Sequence, residues 1–282
     1  MKLIGIRRDP RYSPRSVERD AAILEAVALR LTEVAAFQVD LVSESEFGEE
    51  CLPQVDGVFT MARSPRVLSV LAAAESRGVP VWNSARGVQG LSRRGVNDMG
   101  RKLGVSVPPS VAVSGNGGVP VGHMAYPCWL KRDDACAQQS DDIHFVTNDA
   151  EWRAAVEDFT RRGIREYVAE KHLKGDVLKF YGVAGTGFFF CYYPTDEHGF
   201  SKFGLEHING AAKGFLFDRA ELKRQADRLG SALSVPIYGG DAIVGAGGLC
   251  SIIDFNDWPS YSACRDGAAT AIAGLIRARY AL

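Results

Sequence analysis

Two carboxylates and an amide lie close together in the segment 239–259, GGDAIVGAGGLCSIIDFNDWP, where the surrounding strands are otherwise apolar. Side chains alternate across a strand, so Asp254 and Asn256 share one face while Ile253 and Phe255 take the other. A hairpin turning symmetrically about GAGG sets Asp241 opposite Ile252, on the face of Asp254 and diagonal to it. Three hard oxygen donors on one face suit Mg²⁺ bridging the phosphates of a nucleotide, with positions left for phosphate oxygens and water. In the competing arrangement Asp254 caps the next turn and Asp241 sits exposed at a strand start, as acids near turns often do. The shared face favours the metal.

Arg7, Arg8 and Arg11 form a second constellation directly after the apolar run LIGI. That position is the carboxyl end of a strand, where ligands of open α/β sheets bind, and guanidinium forks recognise carboxylate or phosphate. Ser13 or Ser16 caps a helix starting near Val17, whose N-terminus adds to the attraction for an anion. We carry forward an anionic small-molecule substrate site; a surface salt-bridge cluster with Asp9, Glu18 and Asp20 is the alternative.

The elements that must position these groups are legible as alternating signals. LIGI, a helix over 17–31, QVDLV, DGVFTM, a helix over 67–77 and VPVWN predict a small parallel sheet with helices on both faces. Pro108 and Pro109 punctuate the next boundary, followed by VAV, the turn SGNGG and a return strand at PCWLK. Trp152, Val156 and Phe159 space out an amphipathic helix over 149–163, with Asn148 or Asp149 as N-cap and Gly163 as its stop. Then come the strands REYVAE, VLKFYGV and GFFFCYY, a polar loop over 199–214, a helix over 219–233, the GAGG hairpin and a closing helix over 268–280.

At 282 residues the chain can bury a core spread over two or three lobes. A net charge of −1 with 24% charged residues and no long basic run excludes a nucleic-acid stripe. No stretch approaches the roughly 20 apolar residues of a membrane span, and MKLIGIRRDPRY is unlike a secretory signal, so a cytoplasmic protein is expected. Six cysteines without a CxxC pair or zinc spacing read as packed, reduced thiols.

With these residues in place, IIDFNDWPSY resembles the terminal signature of the ATP-grasp enzymes: an acid, one spacer and Asn, followed by Pro. The resemblance spans the chain. It implies an α/β class ATP-grasp fold, α+β in the C-terminal part. An N-terminal lobe at 1–107, a small central lobe at 108–175 and a larger C-terminal lobe at 176–282 follow, with ATP gripped between the last two. It implies Lys131, in YPCWLKRDD, as the lysine that meets the phosphates. In the hinge EKHLKGD, Glu170 accepts from the adenine amino group, and the backbone of Lys171 and the side chain of Leu173 border the base. Asp176 accepts from the ribose hydroxyls, two oxygens for two donors. Lys179, in VLKFYGV, presents a cation to the γ-phosphate or acceptor. Asp241, Asp254 and Asn256 are then the Mg²⁺ ligands and ATP the cofactor. An exposed strand lysine for Lys131 or Lys179, and a charged linker for EKHLKGD, are the ordinary competitors. DDACAQQSDD stands where the family carries a glycine-rich loop and is not glycine-rich. The loop with Lys202, His207, Asn209 and Lys213 is expected to close over acceptor and phosphates.

The resemblance implies in-line attack on the γ-phosphate. A carboxylate acceptor gives an acyl phosphate that an amine or thiol captures, which is ligase chemistry. A hydroxyl acceptor keeps the phosphate, which is kinase chemistry. Most of the family are ligases, but most ligases have Glu where this chain has Asp254, and Asp-x-Asn with the following aromatic, Pro, small residue and Tyr is also similar to inositol-phosphate kinases of the superfamily. Ligation is the expectation and a kinase the alternative, because a dense basic acceptor surface is not evident beyond the three arginines. A non-catalytic ATP-binding protein is a third reading, opposed by the joint presence of Lys131, Asp241, Asp254 and Asn256.

Overall fold

The computed structural model describes residues 1–13, 16–33, 36–114, 124–133, 140–194 and 208–280. The chain opens with β1 (Lys2–Arg7), α1 (Val17–Thr32), β2 (Gln38–Ser43), β3 (Gly57–Thr60), α2 (Pro65–Ser76) and β4 (Val81–Trp82). These strands form a parallel sheet in the order β2-β1-β3-β4. Alternation along β1 divides its side chains between two cores: Leu3 packs with Ile23 and Val27 of α1, while Ile4 and Ile6 pack with Val67 and Leu71 of α2. Helix α2 starts where it does because Ser64 accepts a hydrogen bond from the Val67 amide and Pro65 occupies the first turn.

Two helices follow that are not among the expected elements, α3 (Ala85–Gln89) and α4 (Arg93–Leu103). The second is largely polar and buries only Val96, Asn97 and Gly100. Gly100 is required there, since a Cβ would lie 2.6 Å from a methyl of Val107.

The central sheet joins β5 (Ser110–Ser114), β6 (Cys128–Arg132), β7 (Ile143–Val146) and β8 (Glu166–Lys171), with α5 (Asp149–Arg161) between the last two. It is antiparallel in the order β5-β8-β6-β7. Asn148 caps α5 by accepting from the amides of Ala150 and Glu151, and Gly163 ends it at a φ of 74°. Cys128 and Leu130 pack against Trp152 and Phe159 of that helix. Trp129 and Lys131 are thereby committed to the opposite face.

The third sheet contains β9 (Asp176–Val183), β10 (Phe189–Tyr192), β11 (Ile237–Val244) and β12 (Cys250–Asp257), antiparallel in the order β10-β9-β11-β12. Helix α6 (Arg219–Ala232) covers one face, burying Leu222 and Leu229 against Leu178, Phe180 and Phe255. The closing helix α7 (Arg265–Ala278) joins this sheet to the N-terminal lobe: its Ile272 and Ile276 enter one core with Val183 of β9, Ile237 of β11 and Leu3, Ile23 and Val27. Among the described residues no helix is long and apolar enough to cross a membrane. Cys51, Cys128, Cys191, Cys250 and Cys264 are free thiols, and Cys136 lies outside the described residues.

Immediately after β12 the chain turns through Trp258 and Tyr261, which hold φ values of 32° and 48°. Positive φ is costly for bulky residues, so the surroundings must enforce it. Both side chains are fully buried, and the Tyr261 hydroxyl sits 2.9 Å from the Gly182 carbonyl and 3.0 Å from that of Tyr238. Tyr261→Phe removes this shared donor from two buried carbonyls. The expected cost is about 1–3 kcal/mol in urea unfolding, with the fold retained; an unchanged midpoint would show the corner to be held by ring packing alone.

Candidate active site

Residue types and register place a row of charges across the third sheet. Lys179 pairs in register with Asp241, and Asp241 with Asp254, so the three stand side by side on β9, β11 and β12. The expected partnership of Asp241 with Ile252 is corrected: Ala242 takes Ile252, and Ile253 is an extra residue bulged out of the ladder. Such a bulge re-aims the neighbouring side chains. It needs Gly240, where a Cβ would come 2.1 Å from the Asp254 carbonyl oxygen. Asp241 therefore faces Asp254 directly rather than diagonally.

Each acid in the row has its own cation. Lys179 Nζ donates to Asp241 Oδ1 at 3.0 Å, and Arg93 Nη1, from the first turn of α4, donates to Asp254 Oδ1 at 2.8 Å. Asn256 Nδ2 donates to Asp254 Oδ2 at 3.0 Å. Burial alone raises the Asp254 pKa, but the positive charges of Arg93 and Lys131 and the hydrogen bonds from Asn256 and Arg93 together outweigh it. Its carboxyl is held below the usual value and stays ionised.

Lys131 faces this row from β6. Its Nζ donates to the carbonyl of the bulged Ile253 at 3.0 Å and makes an ion pair with Glu170 Oε2 at 2.5 Å. Asn97 of α4 donates to Glu170 Oε1 at 2.8 Å. One cavity of about 730 Å³ runs between the two sheets and is lined by Lys131, Glu170, Leu173, Asp241, Asp254 and Asn256 among others. Its hinge end is apolar, with Trp129, Leu173, Val177 and Ile243 on the wall. A flat base fits such a slot, while the charged row suits phosphates.

Several expected placements differ. Asp176 is buried and does not line the cavity; its Oδ2 accepts from the amides of Lys213 and Phe215, so it is spent on anchoring that loop and not turned toward a ribose. Lys179 pairs with Asp241 and does not itself line the cavity. Glu170 already meets Asn97 and Lys131 with its two oxygens, so an adenine amino group would have to share it. The backbone of Lys171, with His172 and Leu173, does line the cavity. Asn209 is stitched to the hinge, donating to the carbonyls of Leu173 and Gly175 at 3.0 and 3.1 Å, which places this part of the polar loop at the hinge end. Lys202 and His207 lie outside the described residues, as does most of the 133–142 loop.

The three N-terminal arginines do not converge. Arg7 donates to Glu25 at 3.2 Å and Arg11 to Asp9 at 3.0 Å, and neither lines the cavity. Arg8 lines it with each of its nitrogens engaged: Nε donates to the Met61 carbonyl, Nη1 to Asp20 and Nη2 to the Trp258 carbonyl. Successive residues of a strand diverge, and acids close in sequence captured each guanidinium. The sequence reading missed Arg63, which pairs with the fully buried Asp257. Arg63 follows β3 as Arg8 follows β1, so the same strand-end rule would have found it. It also missed Arg93 and Asn97; the signal was Ser92, whose hydroxyl accepts from the Gly95 amide and caps α4.

Among the described residues no group of three or more His, Cys, Asp or Glu side chains could hold a metal by itself. Two carboxylates and an amide on the cavity wall nevertheless fit a hard divalent cation that draws its remaining ligands from phosphates and water.

No family model matches the chain, and no curated protein matches it in sequence. Solved structures do match. A D-alanine–D-alanine ligase from Bacillus anthracis, complexed with ATP, aligns with a TM-score of 0.70 at 14% identity over 98% of this chain and 96% of that one. A RimK domain ATP-grasp protein from Sphaerobacter thermophilus aligns at 0.66 and 17% identity, over 98% of this chain and 100% of its own. A D-alanyl-alanine synthetase A from Vibrio cholerae aligns at 0.63 and 13%, over 92% and 89%. The chain has the ATP-grasp fold.

Proposed function

We propose that this protein is an ATP-dependent ligase that activates a small carboxylate as an acyl phosphate and passes it to an amine or thiol. The observation that carries the reading is that Asp241, Asp254 and Arg93 line one cavity with Lys131 and an apolar hinge end, with Lys179 paired to Asp241. The likeness to a D-alanine–D-alanine ligase complexed with ATP supports it.

In this reading the base enters the slot beside Trp129 and Leu173. Lys131 turns from Glu170 toward the phosphates, its ammonium offsetting the charge that spreads over the transferring group. Asp241, Asp254 and Asn256 would hold Mg²⁺, which neutralises phosphate charge and orients the oxygens. The carboxylate oxygen attacks the γ-phosphorus, the bond to ADP breaks, and the nucleophile then attacks the acyl carbon and expels phosphate. A polyphosphate acceptor is disfavoured, because Arg8 and Arg63, both on the cavity wall, are already paired with Asp20 and Asp257.

ADP release measured against a panel of carboxylates, with hydroxylamine as trap, tests this. Carboxylate-dependent ADP with hydroxamate formation is the expected result. ADP accompanied by a phosphorylated hydroxyl would make the protein a kinase, and no ADP with any acceptor would make it a binding protein.

A further inference from the structure

Arg93 reaches Asp254 from outside the two sheets that wall the cavity, donating to it from the first turn of α4. Its guanidinium spans two elements: Nη1 holds Asp254 Oδ1 at 2.8 Å and Nε donates to the Arg132 carbonyl at 3.2 Å. The side chain is 14% exposed, so the charge pair is only lightly screened. Next to it Asp241 is held by Lys179. The acids of the row are thus already neutralised inside the protein.

We infer that Arg93 is a resident cation that keeps divalent metal off Asp254 until nucleotide enters the cavity. The inference rests on the ATP-binding reading and goes beyond it, to the order in which the site fills. For a lone divalent cation to use Asp254, Arg93 must give up a charge-assisted hydrogen bond with no new anion to receive it, and two positive charges must share one carboxylate. A triphosphate changes that balance, since it brings its own negative charge alongside the departing guanidinium. Arg93 is therefore a positioning residue that makes ion binding conditional on nucleotide.

Mn²⁺ is the probe, followed by the electron paramagnetic resonance of the free ion, with ATP binding measured separately by calorimetry. Without nucleotide, wild-type protein is expected to leave Mn²⁺ free, while Arg93→Gln binds it about tenfold or more tightly. Adding Asp254→Asn to that variant abolishes the gain. Arg93→Lys keeps the charge and restores exclusion. Arg93→Met repeats the neutral substitution should Arg93→Gln lose its near-ultraviolet dichroism. Equal Mn²⁺ affinity in wild type and the neutral variants overturns the inference, as does an Arg93→Lys protein that binds Mn²⁺ alone as Arg93→Gln does. If wild type binds ATP and the neutral variants show no gain, only the ordering fails; if wild type does not bind ATP, the nucleotide reading fails with it.

Discussion

Asp254→Ala is expected to lower ADP release by about 10³-fold or more, the scale on which removal of one preorganised electrostatic group acts in such sites. Asp254 is where the interactions of the cleft meet: Arg93 and Asn256 each donate to one of its oxygens, and the Lys131 charge acts on it from the facing sheet. Truncation leaves those cations opposed to each other and removes one of two carboxylates available to a divalent ion. The fold should survive, because the side chain is 29% exposed, toward the cavity, and contributes nothing to the apolar cores. A pH series separates the two effects. A carboxyl whose pKa falls below 3.8 on folding lends stability above that value and loses it as pH drops through the folded value. The variant should therefore unfold more easily at neutral pH and show a flatter acid limb. Asp254→Asn, which keeps the shape, should be as inactive as Ala; full turnover in either variant would remove the assignment.

How much of this was readable beforehand depends on what each residue's position rested on. Asp254 and Asn256 could be placed on one face from the two-residue period of a strand, and the apolar alternation of β6 likewise turned Lys131 away from Trp152. The partner of Asp241 could not, because a one-residue bulge at Ile253 resets the register and leaves no mark in an alternating pattern except the glycine that tolerates it. Arg93 and Asn97 escaped because α4 is polar on the whole, and its apolar stripe is narrow, only Val96, Met99 and Leu103 beside the buried Asn97 and Gly100. The arginines after β1 were misjudged for a different reason. Their charge was legible, but their acidic partners Asp9, Glu25 and Asp20 sit within the next 18 residues and satisfy them locally. Pairing of α7 with α1 is a contact between the two ends of the chain, which no local signal encodes.

Lys131→Met should act on stability and on nucleotide binding at once, and the two can be separated through Glu170. Both side chains are buried, 8% and 3% exposed, and the pair lies on neighbouring strands of the central sheet. Breaking one side of a buried ion pair leaves the other charge uncompensated, at a cost of about 3–5 kcal/mol. The hydrogen bond from Asn97 still supports Glu170, which puts the expected loss toward the lower end of that range, about 3 kcal/mol in urea unfolding. Glu170→Gln on top of Lys131→Met removes the stranded charge while keeping an oxygen for Asn97, so most of that stability should return. Affinity for ATP should not return. The double variant lacks the ammonium that faces the Asp241 and Asp254 row, and calorimetry should show ATP binding weakened by about 10²-fold or more in both the single and double variants, the scale of a charge-assisted contact to phosphate. A double variant that binds ATP as wild type does would make Lys131 a purely structural partner of Glu170, and the cavity between the sheets would then need another cation to receive a triphosphate.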